Sequence, residues 1–314
     1  MKKIFAIDLN NFINQEIDSF FAVKTKSLRK GAMGEYLKII LIDKTDEVEA
    51  NVWENAVKIS KIFEEGDIIK VRGRVYLYND RLQIKIDKIR QSREGEYNIK
   101  DFLPVSSKDS TKLLDRLFYF IDTVKNKYLN ELLHLIFDDK EFLKKFQEAP
   151  AAKSWHHSYM GGLLEHTLAV VEICNFAVSL YDVDSDLLIT SAIIHDIGKI
   201  REYQFRPFID FTDEGRLVGH IPLGDQMIVN KIDQINNFPP ELKMKLRHLI
   251  LSHHGEYEKT AARLPQIPEA FILYFVDNLD AQTIGVMQKI EKAKNEGRVW
   301  TEYDLLHKRY YYTD

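Results

Sequence analysis

The sequence predicts a multidomain α and β protein, in which a small β-barrel precedes an all-α helical bundle with a small β-hairpin insertion. Residues 15–93 contain short β-type runs separated by polar turns. From about residue 111 onward, apolar residues recur at helical spacing instead. A length of 314 residues suits two domains, each with a core of its own.

The first domain is expected to contain three strands, a short helix and two further strands. The segments with distinct boundaries are strands at residues 36–42 and 48–53, a helix at 56–63, and strands at 68–76 and 82–89. This order resembles an OB-fold, a small barrel that commonly binds single-stranded nucleic acid or oligosaccharide. The fold alone leaves the function open.

Alternation along the strand at 48–53 distinguishes an inner face from an outer one. Val48, Ala50 and Val52 share the apolar face, and Trp53 falls on the other. We therefore predict that Trp53 points away from the barrel core.

The second domain is predicted to be helical, because apolar residues such as Leu113, Leu117 and Ile121 fall on one helical face. Similar stripes recur at residues 128–147, 160–181, 186–200, 222–236, 241–253 and 268–294. Residues 203–218 interrupt this pattern and alternate like a hairpin, with a predicted turn at 213–215. The predicted boundaries are a barrel at 1–93, a linker at 94–110 and a bundle at 111–314 with its core at about 155–295.

The sequence argues against a disulfide-stabilised fold, a signal peptide and a membrane-spanning helix. The single cysteine, Cys174, cannot form an internal disulfide, so the fold does not depend on an oxidising compartment. Asp8 and Asn10 end the first apolar run well before the length of a signal peptide, and no stretch approaches ~18 apolar residues. We therefore expect a cytoplasmic protein without membrane contacts. The formal net charge of −4 gives no sign of a polyanionic partner by itself.

Polar residues within apolar helical stretches indicate a metal site. The segment 187–200 is apolar on all sides, and His195 and Asp196 lie near its end. A buried carboxylate beside an imidazole is costly unless it is paired or bound to a metal. Taken alone, these two residues could equally be bonded only to each other.

Further imidazoles and one more carboxylate lie within or beside other apolar helical stretches. They are His166, His220, His253, His254 and Asp277. Helix bundles build metal sites from ligands that several helices direct inward. Imidazole and carboxylate ligands suit manganese, iron(II), cobalt, nickel or zinc, and the lack of thiolates argues against a structural zinc site.

The order of these residues resembles that of the HD-domain metal-dependent phosphohydrolases. The motif Trp-His-His-Ser-Tyr at 155–159, the Gly-Gly-Leu-Leu-Glu-His-Thr run at 161–167 and the preceding OB-like barrel resemble YhaM-type 3′-to-5′ exoribonucleases. The resemblance covers nearly the whole chain. It implies a metal-dependent hydrolase that degrades single-stranded RNA, with single-stranded DNA also plausible, to 5′-mononucleotides. The alternative is a phosphohydrolase or phosphodiesterase acting on small nucleotides, in which the barrel serves assembly.

The resemblance also implies roles for individual residues. Two divalent ions are expected, with manganese favoured over iron, cobalt, nickel or zinc. The implied ligands of the first ion are His166, His195, Asp196 and Asp277. Asp196 would bridge to a second ion that His220, His253 and His254 also hold. Because paired ions can activate water and clamp phosphoryl oxygens, phosphodiester hydrolysis follows from such a site.

Three further residues are candidates near these ligands. Lys199 lies one helical turn after Asp196, where its ammonium could stabilise a phosphoryl group, unless it is a solvated lysine at a helix end. His157 is expected by resemblance to face the site, either supporting a ligand or contacting substrate. Asp280 lies one turn after Asp277 and is a candidate either as a partner of the ligands or as a ligand itself.

The barrel offers candidate contacts to nucleic acid. Lys70, Arg72, Arg74 and Tyr76 share one face of the strand at 68–76. Single-stranded binding combines such cations with stacking aromatics, here Tyr76 and Trp53, with Tyr36 and Tyr78 as further candidates. Acidic residues on the same domain leave plain solvation of these charges as the alternative. Assembly of several copies of the chain also stays open.

Overall fold

The computed structural model describes residues 2–31, 34–93, 95–153, 155–205 and 207–314. The chain divides into two compact units. The first comprises Met1–Val105 and Phe205–Ile209, and the second comprises Ser106–Gln204 and Asp210–Asp314. Within the described ranges, no helix combines the length and the apolar character needed to cross a membrane.

The first unit contains a closed barrel whose strands are ordered β1-β2-β3-β5-β4. The strands are β1 Glu16–Gly31, β2 Gly34–Ile42, β3 Glu47–Val52, β4 Ile68–Tyr78 and β5 Arg81–Gln91, with the short helix α1 Ala56–Ile59 between β3 and β4. A 3-10 helix, Ala6–Phe12, precedes β1. Strand β1 pairs with both β2 and β4, and the parallel pairing of β3 with β5 closes the barrel. The predicted OB-fold is confirmed.

The alternation predicted for β3 is present in the barrel. Val48, Ala50 and Val52 are buried, whereas the side chain of Trp53 is 42% exposed. Asn51 lies on the outer face but is also buried, because its side-chain amide donates to Gln83 Oε1 at 3.1 Å. The outward direction of Trp53 is thus confirmed, and an amide network lies beside it.

A buried ion pair joins the start of the chain to the barrel. Lys2 Nζ lies 2.5 Å from Asp43 Oδ2, and neither side chain is exposed to solvent. Lys2 also donates to the carbonyl of Phe20 at 2.6 Å and lies 3.8 Å from the centre of the Phe21 ring. Burial lowers the pKa of Lys2 to about 8, although the charge of Asp43 acts to raise it.

Residues 95–105, which lie within the predicted linker, belong to the first unit. Phe102 is buried there and packs with Phe20, Ala22 and Ile68. This segment therefore contributes a small apolar cluster beside the main barrel core.

The second unit is a bundle of helices, as predicted. The helices are α2 Ser110–Thr123, α3 Lys127–Phe137, α4 Lys140–Glu148, α5 Gly162–Val178, α6 Ser185–Ile194, α7 Lys199–Glu202, α8 Asp213–Leu217, α9 His220–Ile232, α10 Pro240–Ser252 and α11 Pro268–Asn295. Helix α6 is buried from Leu187 to Ile194, and α5 is buried over most of its length. Helix α11 packs against both. His166 on α5 and Asp277 on α11 are buried and therefore lie inside the bundle.

A small hairpin interrupts the bundle, also as predicted. Its strands are β6 Tyr203–Gln204 and β7 Asp210–Phe211. The predicted turn at 213–215 was wrong, since the connection between the strands is residues 205–209. Residues 213–215 begin helix α8 instead, because the hydroxyl of Thr212 accepts a hydrogen bond from the backbone N–H of Gly215 at 2.8 Å and caps the helix.

Candidate metal centre and nucleic-acid groove

The candidate ligands come from the ends and interiors of buried helices. His166 lies in α5, and His195 and Asp196 directly follow α6. His220 is the first residue of α9, and Asp277 lies in α11. The doublet His253 and His254 directly follows α10.

The first group of ligand atoms comes from His166, His195, Asp196 and Asp277. Their side chains are buried, and one ligand atom of each lies within 4.8 Å of the others. The Nε2 atoms of His166 and His195 are 3.2 Å apart, and His166 Nε2 is 3.1 Å from Asp277 Oδ1. This compact arrangement combines imidazole nitrogens and carboxylate oxygens around one point.

The second group comprises His220, His253 and His254, again with ligand atoms within 4.8 Å of one another. Asp196 connects the two groups. Its Oδ2 atom lies 3.3 Å from His195 Nε2, whereas its Oδ1 atom lies 3.5 Å from His220 Nε2 and 3.6 Å from His253 Nε2. Each carboxylate oxygen thus faces a different set of imidazoles.

The Nδ1 atoms of these histidines are all held by oxygen atoms. The partners are Asp280 Oδ2 for His166 (2.7 Å), the Ala192 carbonyl for His195 (2.9 Å), Glu202 Oε1 for His220 (3.0 Å), the Ile250 carbonyl for His253 (2.7 Å) and the Lys259 carbonyl for His254 (2.6 Å). Because carbonyl and carboxylate oxygens accept, each Nδ1 carries the proton. When each ring is neutral, the Nε2 atoms then carry no proton, and their lone pairs are available within the two groups of ligand atoms.

The unsatisfied atoms of the site fit a metal ion. Nε2 of His220 and of His253 are buried and have no hydrogen-bond partner among the described residues. A buried polar atom of this kind is costly unless something binds it. Convergent Nε2 atoms with ionised carboxylates, and no thiolate, are a donor set for divalent ions of borderline hardness.

Burial and charge oppose each other in the site. Burial would raise the pKa of Asp196, but the Lys199 ammonium and the nearby histidines hold it well below its ordinary value. Burial lowers the pKa of His254 to about 3 and also lowers the pKa of His253. Burial would lower the pKa of His166 too, yet hydrogen bonds to three carboxylates raise it well above its ordinary value. A metal ion bound by His166 would replace the additional proton that this raised pKa keeps on the imidazole.

Lys199 lies against the candidate ligand Asp196. Its ammonium lies 2.5 Å from Asp196 Oδ2, and only 5% of the residue is exposed. The alternative of a solvated lysine at the end of a helix is wrong, since Lys199 is buried and begins α7.

Both ring nitrogens of His157 have hydrogen-bond partners. Its Nδ1 atom lies 2.8 Å from the hydroxyl of Tyr159, and its Nε2 atom lies 3.1 Å from Asp280 Oδ2. Its backbone adopts the left-handed region, with φ of 46°. The carbonyl of His157 packs closely against Gly162, where a β-carbon would lie 2.1 Å from the oxygen.

His156, which the sequence did not single out, faces the first group. Its ring centre lies 5.2 Å from that of His166. Both ring nitrogens are buried and without a hydrogen-bond partner in the part of the chain that the structure describes. Burial, together with the positive charge of Lys199, lowers the pKa of His156 to about 2, so the imidazole is neutral. In the sequence, only its position beside His157 in one motif pointed to His156. No sequence feature pointed to Glu202, whose carboxylate accepts from His220 Nδ1.

A groove on the barrel is lined by the aromatic residues that are candidates for stacking on bases. Its cavity volume is about 760 Å³, and its lining includes Tyr36, Trp53, Tyr76, Tyr78, Arg74, Lys85, Asn51, Gln83 and three glutamates, Glu35, Glu49 and Glu54. The rings of Tyr36 and Trp53 are stacked with centres 4.6 Å apart. The groove is thus aromatic with charges of both signs.

Two of the cations that were predicted to contact nucleic acid lie outside this groove. Lys70 and Arg72 are not among the described residues that line the groove. Lys70 Nζ lies 3.1 Å from Asp18 Oδ1, and Arg72 donates to Glu16 Oε2 at 2.9 Å. Arg74, Trp53 and Tyr76 are therefore brought together, whereas Lys70 and Arg72 face acidic residues of β1.

Comparisons with known proteins agree with both units. Residues 163–282 match the family profile of the HD domain, and residues 22–91 match that of an OB-fold nucleic acid binding domain. Among solved structures, the second OB-fold domain of replication protein A from Methanococcus maripaludis is similar at 20% identity, over 27% of this chain and 91% of that one, with a TM-score of 0.23.

Curated relatives match over most of the chain. The 3′-5′ exoribonuclease YhaM of a Geobacillus species (strain WCH70) is 30% identical over 285 residues, which cover 90% of this chain and 87% of the relative. The protein of the same name from Bacillus subtilis is 29% identical over 285 residues, or 90% of each chain. With an OB-fold and an HD domain in the same chain, the protein belongs to the YhaM family of 3′-5′ exoribonucleases.

Proposed function

We propose that the protein is a metal-dependent 3′-to-5′ exoribonuclease that hydrolyses single-stranded RNA to 5′-mononucleotides. The observation that carries this proposal is the position of Asp196, whose two oxygens face two separate groups of histidines. With one oxygen toward each set of histidines, Asp196 could contribute to the binding of two divalent ions.

The two groups divide the ligands between two ions. His166, His195, Asp196 and Asp277 would hold the first, and Asp196 with His220, His253 and His254 would hold the second. We favour manganese, with iron, cobalt, nickel or zinc as alternatives that the donor set also suits. When bound, such ions supply Lewis-acid activation of water and neutralise charge on phosphoryl oxygens.

Side chains beside the ligands bind and orient the scissile phosphate. The buried ammonium of Lys199, next to Asp196, stabilises the negative charge that develops on the phosphoryl oxygens. His156 contributes a neutral imidazole with no other partner among the described residues, which can donate one hydrogen bond to an oxygen of the substrate. Before substrate arrives, Lys199 is already held by its ion pair with Asp196, and the ring of His156 lies against that of His166.

The barrel groove holds the single strand in this proposal. Stacked Tyr36 and Trp53 offer flat aromatic surfaces to successive bases, and Arg74 supplies a cation for the phosphates. Because stacking tolerates any base, we expect little sequence preference from these contacts. Nothing in the groove identifies a reader of the 2′-hydroxyl, so single-stranded DNA is an expected second substrate.

The decisive experiment is a time course on single-stranded RNA labelled at either end, with and without chelator. A 3′-to-5′ enzyme releases the 3′ label at once as a mononucleotide, while the 5′-labelled strand shortens stepwise. Chelation and Asp196→Ala should each abolish both patterns, with metal analysis and circular dichroism as controls. Release of the 5′ label first, or equal rates with Asp196→Ala, would overturn the proposal. A panel of free nucleotides tests the small-molecule alternative in parallel.

A further inference from the structure

Two buried carboxylates lie directly behind the candidate ligands, one in each group. Asp280 Oδ2 accepts from His166 Nδ1 at 2.7 Å, and Glu202 Oε1 accepts from His220 Nδ1 at 3.0 Å. Both residues are less than a tenth exposed. Backbone carbonyls accept from Nδ1 of His195, His253 and His254 at 2.6–2.9 Å, and the Thr260 hydroxyl also lies 3.2 Å from His254 Nδ1. Each group therefore contains one histidine whose Nδ1 is held by a carboxylate side chain.

Each carboxylate oxygen also makes a second contact. The same Asp280 oxygen lies 3.1 Å from His157 Nε2, which joins α11 to the segment before α5. Glu202 Oε1 also accepts from the backbone N–H of His220 at 3.0 Å, so it anchors the first turn of α9. These contacts fix both the ring direction and the proton of the two histidines.

Asp280, His157 and His166 lie close enough together to suggest a third metal site. Their spacing argues for hydrogen bonds instead, because both nitrogens are within hydrogen-bond distance of the same Asp280 oxygen. Asp280 is thus a partner of a ligand.

We propose that Asp280 and Glu202 are positioning residues that separately set the affinity of the two metal ions, Asp280 through His166 and Glu202 through His220. An Nδ1–H held by a carboxylate leaves the Nε2 lone pair for the metal and increases its basicity. This inference rests on the proposed two-ion site and adds that its halves can be weakened one at a time.

Replacing each carboxylate by its amide provides the test. In Asp280→Asn or Glu202→Gln, the amide can donate a hydrogen bond, which allows the histidine proton to move to Nε2 and block metal binding. Apo full-length protein is titrated with Mn²⁺ by calorimetry, and bound metal is counted by elemental analysis. We expect two equivalents in the wild type. Each variant should keep one at wild-type affinity, with the other weakened about 10–100-fold.

Combining each amide variant with His254→Ala assigns the weakened ion. Because His254 belongs to the second group, Glu202→Gln with His254→Ala should still hold one ion at wild-type affinity. Asp280→Asn with His254→Ala should bind both weakly. The absorption spectrum of Co²⁺-loaded protein gives a second readout, since each single variant should alter a different component of it.

Matched controls come from buried carboxylates on α9, which begins with His220, and on α11, which carries Asp280. Asp225 on α9 pairs with Arg247 at 2.8 and 2.7 Å, and Glu269 on α11 accepts from the backbone N–H of Asp184 at 2.8 Å. Asp225→Asn and Glu269→Gln should therefore leave both metal affinities unchanged, even where they lower stability.

The outcomes separate this inference from the proposed function. If the wild type binds two ions and both amide variants bind them with wild-type affinity, the positioning roles are wrong while the two-ion site stands. Equal weakening of both ions in either variant indicates a merely structural role and also overturns the inference. A wild type that binds fewer than two ions overturns the two-ion site itself, and the inference with it.

Discussion

Gly198 packs directly against the backbone carbonyl of His220, since a β-carbon at position 198 would lie 2.0 Å from that oxygen. No other residue fits at this distance without movement of the backbone. Helix α9 can therefore begin beside Asp196, and His220 reaches the second group of ligands. A glycine two residues after Asp196 thus serves the site through packing.

The change Gly198→Ala should push the first turn of α9 away from Asp196. We expect weaker binding of one metal ion, at least a tenfold loss of exoribonuclease rate, and a loss of about 1–3 kcal/mol in the free energy of unfolding. Metal titration and thermal unfolding measure these effects. Gly224→Ala is the matched control, because its β-carbon would lie no closer than 3.4 Å to any atom outside its own helix and chain neighbours. Equal damage from both changes would contradict the explanation.

Removing the stacked rings should weaken binding of single-stranded RNA. We expect Tyr36→Ala and Trp53→Ala each to cost about 1–3 kcal/mol of binding free energy. Fluorescence anisotropy in an Asp196→Ala background measures binding without cleavage. Lys70→Ala and Arg72→Ala are the controls, because those cations are paired with acidic residues of β1, and each should cost less than about 1 kcal/mol. Larger losses from the cations than from the rings would place the strand on another face.

His156→Ala should reduce kcat about tenfold or more while the metal content stays unchanged. The imidazole has no hydrogen-bond partner in the described part of the chain, so its removal leaves no group newly unsatisfied, and stability should hardly change. Steady-state kinetics on labelled RNA and thermal unfolding separate the two effects. His156→Asn retains an N–H donor and should recover part of the rate. Full activity of His156→Ala would remove this residue from the site.

Asp43→Asn should destabilise the barrel by about 3–5 kcal/mol, because it leaves the buried ammonium of Lys2 without its counterion. Urea unfolding of the full chain measures the change. Glu47→Gln removes an exposed carboxylate that pairs with Lys24, and it should change stability by less than about 1 kcal/mol. Similar effects of the two changes would mean that burial of the Lys2 pair contributes little.

The candidate ligands were predicted from the sequence because each lies within or beside an apolar helical stretch. Helix α6 is the best case, since eight consecutive buried residues lead directly to His195 and Asp196. The choice between His156 and His157 could not be made in this way. The left-handed backbone of His157 turns it toward Tyr159 and Asp280, and that conformation depends on packing against Gly162.

The spacing of apolar residues along each segment therefore predicted the two domains, the order of their elements and the candidate metal ligands. It could do so because whether a segment has an apolar face to bury depends on that segment's own sequence. Tertiary structure alone decided which side chains became partners. The antiparallel pairing of β1 with β4 brings Glu16 within reach of Arg72, which donates to its carboxylate and is not among the described residues that line the groove. Folding brings Glu202 behind His220, and Asp280 behind His166, across separations of 18 and 114 residues. Such pairings depend on how distant elements pack, which no single segment encodes.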